Sequence, residues 1–153
     1  MSAELWPGDG HSPRSAAVVL EITHATLGGL VPDFSAAAEV SHRARANGTA
    51  VHIDGARLFN AQVASGIPVA RWAALADTVT FCFAKGLGAP AGAMVVGDAQ
   101  TVERARHVRK RLGGAMRQTG VLAAAGKVGL DRGVGLLADD HRRARCWRMP
   151  SRR

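Results

Sequence analysis

Lys85 is a candidate for a reactive amine, because of the segments on either side of it. It follows residues 78–83, a run of β-branched, aromatic and small residues that predicts a buried strand. Glycines and a proline follow in the segment 86–90 (GLGAP), so no helix continues and a tight turn is predicted. An amine that such a turn shields from water is a better nucleophile, and carbonyl cofactors such as pyridoxal phosphate bind a lysine of this kind as a Schiff base. Taken alone, Lys85 also fits an ordinary lysine that leaves a strand end and points into water.

Asp54 and Arg57 form a second candidate pair. Residues 49–53 predict another strand, and the segment 52–60 (HIDGARLFN) lies at its end. A carboxylate such as Asp54 can keep a pyridine nitrogen protonated, and that charge makes the ring an electron sink. Arg57 has the length and the fork geometry to hold a carboxylate or a phosphate. Alone, an acid and an arginine at this spacing are also typical of a helix N-terminus with a surface arginine.

The elements around these residues predict an α/β fold. Residues 16–22 and 49–53 are expected strands, and residues 33–47 form a helix that Asp33 caps. Strand, helix and strand make a βαβ unit, so a parallel pair with a right-handed crossover is expected. The almost continuous apolar character of residues 16–22 suits a sheet that is covered on both faces. Residues 91–96 predict a strand antiparallel to the one before Lys85.

The last third of the chain predicts helices. Residues 99–112 form a basic amphipathic helix, residues 117 to about 130 form a helix of small residues, and residues 131–145 could also be helical. No internal repeat or linker divides the chain into two full domains. The predicted organisation has three parts: an irregular lead-in (1–15), a partial cofactor-binding domain (16–130) and a basic helix with an aberrant tail (131–153).

Four segments, in this order, carry a family resemblance. They are 52–61 (HIDGARLFNA), 84–90 (AKGLGAP), 109–118 (RKRLGGAMRQ) and 120–126 (GVLAAAG). Residues 50–126 closely resemble the low-specificity L-threonine aldolases, pyridoxal-phosphate enzymes of the aspartate-aminotransferase-like fold. The resemblance implies part of the large domain of that fold, a mostly parallel sheet with flanking helices, truncated at both ends.

The resemblance also implies roles for five residues. Lys85 corresponds to the lysine that binds pyridoxal 5'-phosphate covalently, and Asp54 corresponds to the partner of the pyridine nitrogen. Arg57 is expected at the cofactor or at the substrate carboxylate. His11 and Lys110 match positions close to the substrate, although Lys110 equally fits a solvated lysine on a basic helix. No metal site is expected, because the sequence shows no metal-ligand spacing.

The family reaction cleaves the Cα–Cβ bond of a β-hydroxy-α-amino acid into glycine and an aldehyde. By resemblance, the partners are therefore an amino acid substrate and a second copy in a homodimer. The phosphate-binding Gly/Ser/Thr turn and the C-terminal small domain of the family have no counterpart in this sequence, and Ile22 stands where the family has asparagine. An inactive, truncated remnant of such an enzyme is thus an alternative.

Charge leaves a further alternative open. The net charge of +8 arises in the last third of the chain, which is rich in arginine. A basic nucleic-acid-binding fragment would carry such an excess, but the aromatic platform or zinc-finger spacing of that class is missing, which favours a solvated helix face. No apolar run approaches the roughly 20 residues of a membrane span. A reducing cytoplasmic compartment is the default for Cys82 and Cys146.

Overall fold

The computed structural model describes residue 11 and residues 13–146. The regular elements of this part follow one another as strands and helices of similar, short length. They are β1 (Ala17–Glu21), α1 (Phe34–Ala46), β2 (Ala50–Asp54), α2 (Leu58–Ser65), α3 (Val69–Ala73), β3 (Thr78–Cys82), β4 (Ala93–Gly97), α4 (Ala99–Arg111), α5 (Gly120–Val128) and α6 (Val134–Cys146). A short 3-10 helix, Ala25–Leu27, precedes α1, and a π-helical segment, Gly129–Gly133, joins α5 to α6.

The four strands form one sheet in the order β1-β2-β3-β4. β1 pairs with β2 and β2 pairs with β3 in parallel, and the connections between them pass through helices. β4 turns back and pairs antiparallel with β3. The prediction of a mostly parallel α/β sheet with one antiparallel edge strand is therefore confirmed.

Asp33 starts α1 as the sequence predicts. Its carboxylate accepts a hydrogen bond from the backbone N–H of Ala36 at 2.9 Å and another from the hydroxyl of Ser35. These bonds, that of Ser35 first, stabilise the carboxylate and hold the pKa of Asp33 below its usual value of 3.8. The helix ends at Asn47, and Gly48 follows with φ of 64°, in the left-handed region that favours glycine.

One face of the sheet carries the main core. Val51, Ile53 and Val79 alternate with more exposed residues and lie on this face, where helices α1, α2 and α3 cover them. Trp72 of α3 is fully buried in the same cluster, and its ring meets Phe34 edge to face with centroids 4.9 Å apart. Since buried aromatic rings contribute most of the apolar area in a small core, Trp72 anchors this side of the sheet.

The opposite face is open in the described part of the chain. β1 alternates between exposed and half-buried residues, and Val19 is 62% exposed. On the same face, the His52 ring lies 2.8 Å from the hydroxyl of Thr78 through Nδ1. The expectation that both faces of β1 are covered is wrong for these residues, because the helices that follow β1 and β2 pack on one side only.

The helical third of the chain is more continuous than its sequence predicts. α5, the π-helical segment and α6 follow one another without a break from Gly120 to Cys146, whereas two separate helices were expected. α6 packs against α2. The predicted division of the chain at residue 130 stays a prediction.

Three further properties concern only the part of the chain that the structure describes. None of its helices combines the length and the apolar character needed to cross a membrane. Its two cysteines, Cys82 and Cys146, are both free thiols. Within residues 11 and 13–146, no three His, Cys, Asp or Glu side chains converge as metal ligands would.

Candidate active site

Asp54 ends β2 in a tight, well-bonded turn. Its carboxylate accepts a hydrogen bond from the backbone N–H of Ala56 at 3.1 Å. The next residue, Gly55, donates its N–H to the carbonyl of Thr80 in β3 at 2.8 Å. A Cβ on Gly55 would lie only 2.9 Å from that carbonyl oxygen, so glycine is the residue that lets the chain turn here. Asp54 is half-buried, and Ala56 provides the only hydrogen bond to its carboxylate among the described residues.

Arg57 lies at the start of α2, three residues after Asp54. It occupies the N-cap position, but its side chain makes no capping hydrogen bond. The side chain is exposed, and no ion pair engages its guanidinium group within the described residues. The five N–H donors of this group are therefore available to an anion that comes close to the carboxyl end of β2.

Lys85 lies on the turn that follows β3. The turn closes through two backbone hydrogen bonds: Gly88 N–H to Lys85 O and Ala89 N–H to Phe83 O, each with a nitrogen–oxygen distance of 3.0 Å. Phe83, Leu87 and Ala89 are buried beneath it in a second apolar cluster. The Lys85 side chain itself is exposed. The shielding from water that the sequence predicts is thus absent from this structure.

The sheet brings Asp54 and Lys85 to the same edge. In the parallel register of β2 and β3, Asp54 lies opposite Thr80, and β3 ends two residues later at Cys82. Both chains leave the sheet at the carboxyl ends of neighbouring parallel strands, where open α/β sheets bind their ligands. An acid, a guanidinium group and a primary amine therefore follow neighbouring strands at the same end of the sheet.

A family model describes almost the whole chain. The model is that of the beta-eliminating lyases, and it matches residues 1–149. The chain belongs to the beta-eliminating lyase family.

Individual relatives in this family are threonine aldolases. Low-specificity L-threonine aldolase 1 of Arabidopsis thaliana is 44% identical over 138 residues, which cover 90% of this chain and 38% of that protein. The low specificity L-threonine aldolase of Escherichia coli K12 is 39% identical over 147 residues, covering 96% of this chain and 43% of that protein.

The solved structures agree with the sequence relatives. A candidate L-allo-threonine aldolase from Listeria monocytogenes superposes with a TM-score of 0.78 at 27% identity, over 84% of this chain and 35% of that one. The chain thus spans 35% to 43% of the length of the three relatives named here. These matches confirm the predicted family and fold, and they favour neither an inactive remnant nor a nucleic-acid-binding fragment.

The other two predicted site residues lie outside these two turns. His11 is exposed and precedes β1. Lys110 lies in the last turn of α4 and is also exposed. No hydrogen bond or ion pair in the described part of the chain joins Lys110 to Asp54, Arg57 or Lys85. The substrate roles predicted for His11 and Lys110 stay predictions.

Sequence reasoning missed the residues that hold the lysine turn. Gly129 and Gly133 pack against the carbonyl oxygen of Leu87, since a Cβ on either glycine would lie 2.8 Å from that oxygen. The Asn60 side chain lies against Gly86, the residue after Lys85. The spacing of Gly126, Gly129 and Gly133 along one helix was an available signal, but it does not name the surface that these glycines contact.

Proposed function

We propose that this chain carries the cofactor-binding segment of a pyridoxal-phosphate-dependent carbon–carbon lyase. The reaction is of the threonine-aldolase type: a β-hydroxy-α-amino acid is cleaved to glycine and an aldehyde. The observation that carries the proposal is the position of Asp54 and Lys85 at the carboxyl ends of adjacent parallel strands, in a chain of the beta-eliminating lyase family. The names of the relatives support threonine and allo-threonine as substrates.

The side chains at this edge fit the ring of pyridoxal 5'-phosphate. Lys85 offers an exposed primary amine for the aldehyde of the cofactor. Asp54 has one carboxylate oxygen bonded to Ala56, and its other oxygen has no hydrogen-bond partner within the described residues. That oxygen can accept a hydrogen bond from a protonated pyridine nitrogen. The cofactor's phosphate would bind to other groups than these two.

Each residue then has one task. Lys85 would hold the cofactor covalently, and Asp54 would keep a proton on its pyridine nitrogen. Arg57 orients a carboxylate or phosphate through paired N–H donors. His11 and Lys110 are proposed to contact the substrate. Pyridoxal phosphate held there would supply an electron sink for the pair that Cα–Cβ cleavage leaves behind.

A labelling experiment tests the cofactor assignment. The sequence contains three lysines, Lys85, Lys110 and Lys127, so the attachment site can be resolved by peptide mass spectrometry. We expect borohydride reduction of the chain with pyridoxal phosphate to place the pyridoxyl group on Lys85. Lys85→Ala should abolish the long-wavelength absorbance band that is expected when pyridoxal phosphate is bound covalently. Lys127→Ala, which removes an exposed lysine paired with Asp131 at 2.8 Å, should leave it unchanged. Equal labelling of all three lysines would contradict the assignment.

A second measurement tests the reaction. L-threonine and L-allo-threonine are supplied to the cofactor-loaded chain, and glycine and acetaldehyde are measured. Production that requires Lys85 supports the lyase proposal. Labelling at Lys85 without any glycine would show that the chain binds the cofactor but lacks lyase activity by itself.

We also propose a cytoplasmic homodimer. The dimer rests on the family resemblance, and the free thiols Cys82 and Cys146 are compatible with a reducing compartment. Size-exclusion chromatography with light scattering tests the assembly: a mass of twice 16.0 kDa is expected, and a monomer would contradict it.

A further inference from the structure

We propose that Asn60 is a positioning residue for Lys85, and that His141 orients its amide. The proposal rests on the proposed function, because it concerns the lysine that would bind the cofactor. Asn60 lies in α2, in the segment that follows Asp54, whereas His141 lies in α6. Through these two residues, α2 and α6 contact the turn that carries Lys85, although both helices are distant from that turn in sequence.

The first observation is the close approach of Asn60 to Gly86. A Cβ built on Gly86 would lie 2.5 Å from Asn60 Oδ1 and 3.0 Å from Leu137 Cδ2. Real Cβ atoms do not come as close to an oxygen as 2.5 Å, so the backbone of Gly86 rests directly on the amide of Asn60. Leu137 is fully buried and cannot withdraw easily. Gly86, the residue after Lys85, therefore packs between α2 and α6.

The second observation is the hydrogen bond that orients this amide. Asn60 Nδ2 donates to His141 Nε2 at 3.1 Å, and both side chains are half-buried. With Nε2 as the acceptor, the imidazole carries its proton on Nδ1. Because the amide nitrogen faces His141, the amide oxygen is directed towards Gly86. His141 thus decides which end of the Asn60 amide meets the turn.

The third observation is the contact of two helix glycines with the next residue of the turn. Gly129 and Gly133 lie against the carbonyl oxygen of Leu87, where a Cβ would come within 2.8 Å. Leu87 itself is 5% exposed. Asn60 and Leu137 therefore pack against Gly86, and the two glycines pack against Leu87. Both residues that follow Lys85 are held by these contacts. The lysine side chain is exposed, but the backbone from which it extends is held firmly.

A firm base matters for this lysine in particular. A nucleophile on a long, exposed side chain reaches a bound aldehyde faster when its Cα is fixed within a fraction of an ångström. Asn60 touches neither the amine nor the ring in this arrangement. Its effect passes through Gly86, which is why it is a positioning residue and not a catalytic one.

A double-mutant cycle tests the contact. Gly86→Ala places a methyl group on the Asn60 oxygen. It should slow the trapping of pyridoxal phosphate on Lys85 by about tenfold, since a misplacement of about 1 Å can cost up to about a hundredfold. In the Asn60→Ala background, the same Gly86→Ala change should cost no more than about threefold, because the obstructing oxygen is gone. Equal costs in both backgrounds would overturn the proposal.

The role of His141 is tested by removal and rescue. His141→Ala should slow the trapping on Lys85, and His141→Gln should restore most of it, since a glutamine oxygen can accept the Asn60 hydrogen bond. His42→Ala, which changes an exposed histidine on α1, is the matched control and should have no effect. If His141→Ala lowers the melting temperature without slowing the trapping, His141 is only structural and the proposal is wrong.

The outcome is separable from that of the proposed function. The same cycle is measured without cofactor as the hydrogen-exchange rate of the Ala89 amide, which bonds to Phe83 O within the turn. If the unmodified chain fails to bind pyridoxal phosphate, the function fails, while coupling between Asn60 and Gly86 in the exchange rates still supports the contact. Additive exchange rates in a chain that does bind the cofactor would remove the positioning role alone.

Discussion

Two turns leave the sheet side by side, and they are held in different ways. The turn after Asp54 is bonded by its own residues and by the adjacent strand: Ala56 N–H to Asp54, Gly55 N–H to Thr80 O, and Leu58 N–H to Gly55 O. The turn after Lys85 closes its own hydrogen bonds too, but it rests on helix residues that come from elsewhere in the chain. The acid is thus placed mainly by local structure, and the amine by tertiary packing.

The apolar residues beneath the turns differ in the same sense. The cluster below Asp54 includes Ile53, Leu58 and Trp72, and it draws on α1, α2 and α3 together. The cluster below Lys85 has three buried members, Phe83, Leu87 and Ala89, which belong to the turn itself. The lysine turn therefore depends on α5 and α6 for its stability, whereas the aspartate turn belongs to the main core.

The largest effect is expected from Trp72→Ala. Removing this fully buried ring should lower the free energy of unfolding by about 3–5 kcal/mol, the range for aromatic side chains in cores. Urea denaturation followed by circular dichroism measures it. The Gly55 and Ala89 amides, which report on the two turns, should lose protection from hydrogen exchange together. If Ala89 stays protected while Gly55 does not, the two turns do not unfold together.

Trp72→Phe is the matched control. The indole N–H of Trp72 is buried without a hydrogen-bond partner in the described part of the chain. Phenylalanine keeps much of the ring and removes this unpaired donor. A loss clearly smaller than that of Trp72→Ala is expected, and an equal loss would point to a role for the indole nitrogen.

Gly133→Ala should separate the two turns. Its new methyl group would lie 2.8 Å from the carbonyl oxygen of Leu87, and overpacking of this kind costs about 1–3 kcal/mol. We expect faster hydrogen exchange at Ala89 with little change at Gly55. Nuclear magnetic resonance of the exchanging amides measures both rates in one sample.

The control for this change lies two residues further along the same helix. Gly135 has no atom within 4 Å of its Cβ position, so Gly135→Ala meets no obstacle and should stabilise the helix by about 0.5–1 kcal/mol. Similar effects of the two substitutions would show that helix propensity, and not contact with Leu87, governs this region.

The smallest effect concerns the helix caps in acid. Asp33 caps α1, and Asp98 caps α4 by accepting bonds from the Thr101 hydroxyl at 2.7 Å and its N–H at 2.9 Å. Hydrogen bonds, the hydroxyl bond first, hold the pKa of each carboxyl below 3.8. Each lowered pKa stabilises the fold at pH values above about 3.8, and this contribution is lost as the pH falls through the folded-state pKa.

Asn variants of the two caps test this pH dependence. Asp33→Asn should reduce the loss of stability below pH 4, because asparagine caps without titrating. Asp98→Asn should affect global stability less, since α4 buries no residue whereas α1 buries Ala37, Ser41 and Ala44. Thermal melts between pH 2 and 6 measure both, and a larger effect of Asp98 would contradict the order.

Local patterns were sufficient for most of the elements. The cap at Asp33 and the antiparallel strand after Lys85 follow from residues within one turn or one strand, and the structure confirms them. The apolar residues of β1 led to the wrong prediction that both of its faces are covered. Residue type alone does not indicate which face of a strand a helix will cover. The sequence left open whether Lys85 is shielded or exposed, since solvent access is decided by elements outside the turn.

Residue patterns alone predict the family, the order of strands and helices, and three side chains that could bind a cofactor at the strand ends. How the lysine turn is held depends on tertiary packing: Asn60, oriented by His141, contacts Gly86, and Gly129 and Gly133 contact Leu87. The two kinds of interaction differ in the sequence separation over which they act. Turn chemistry and strand alternation act between neighbours in the chain, whereas close packing joins residues that the sequence keeps far apart.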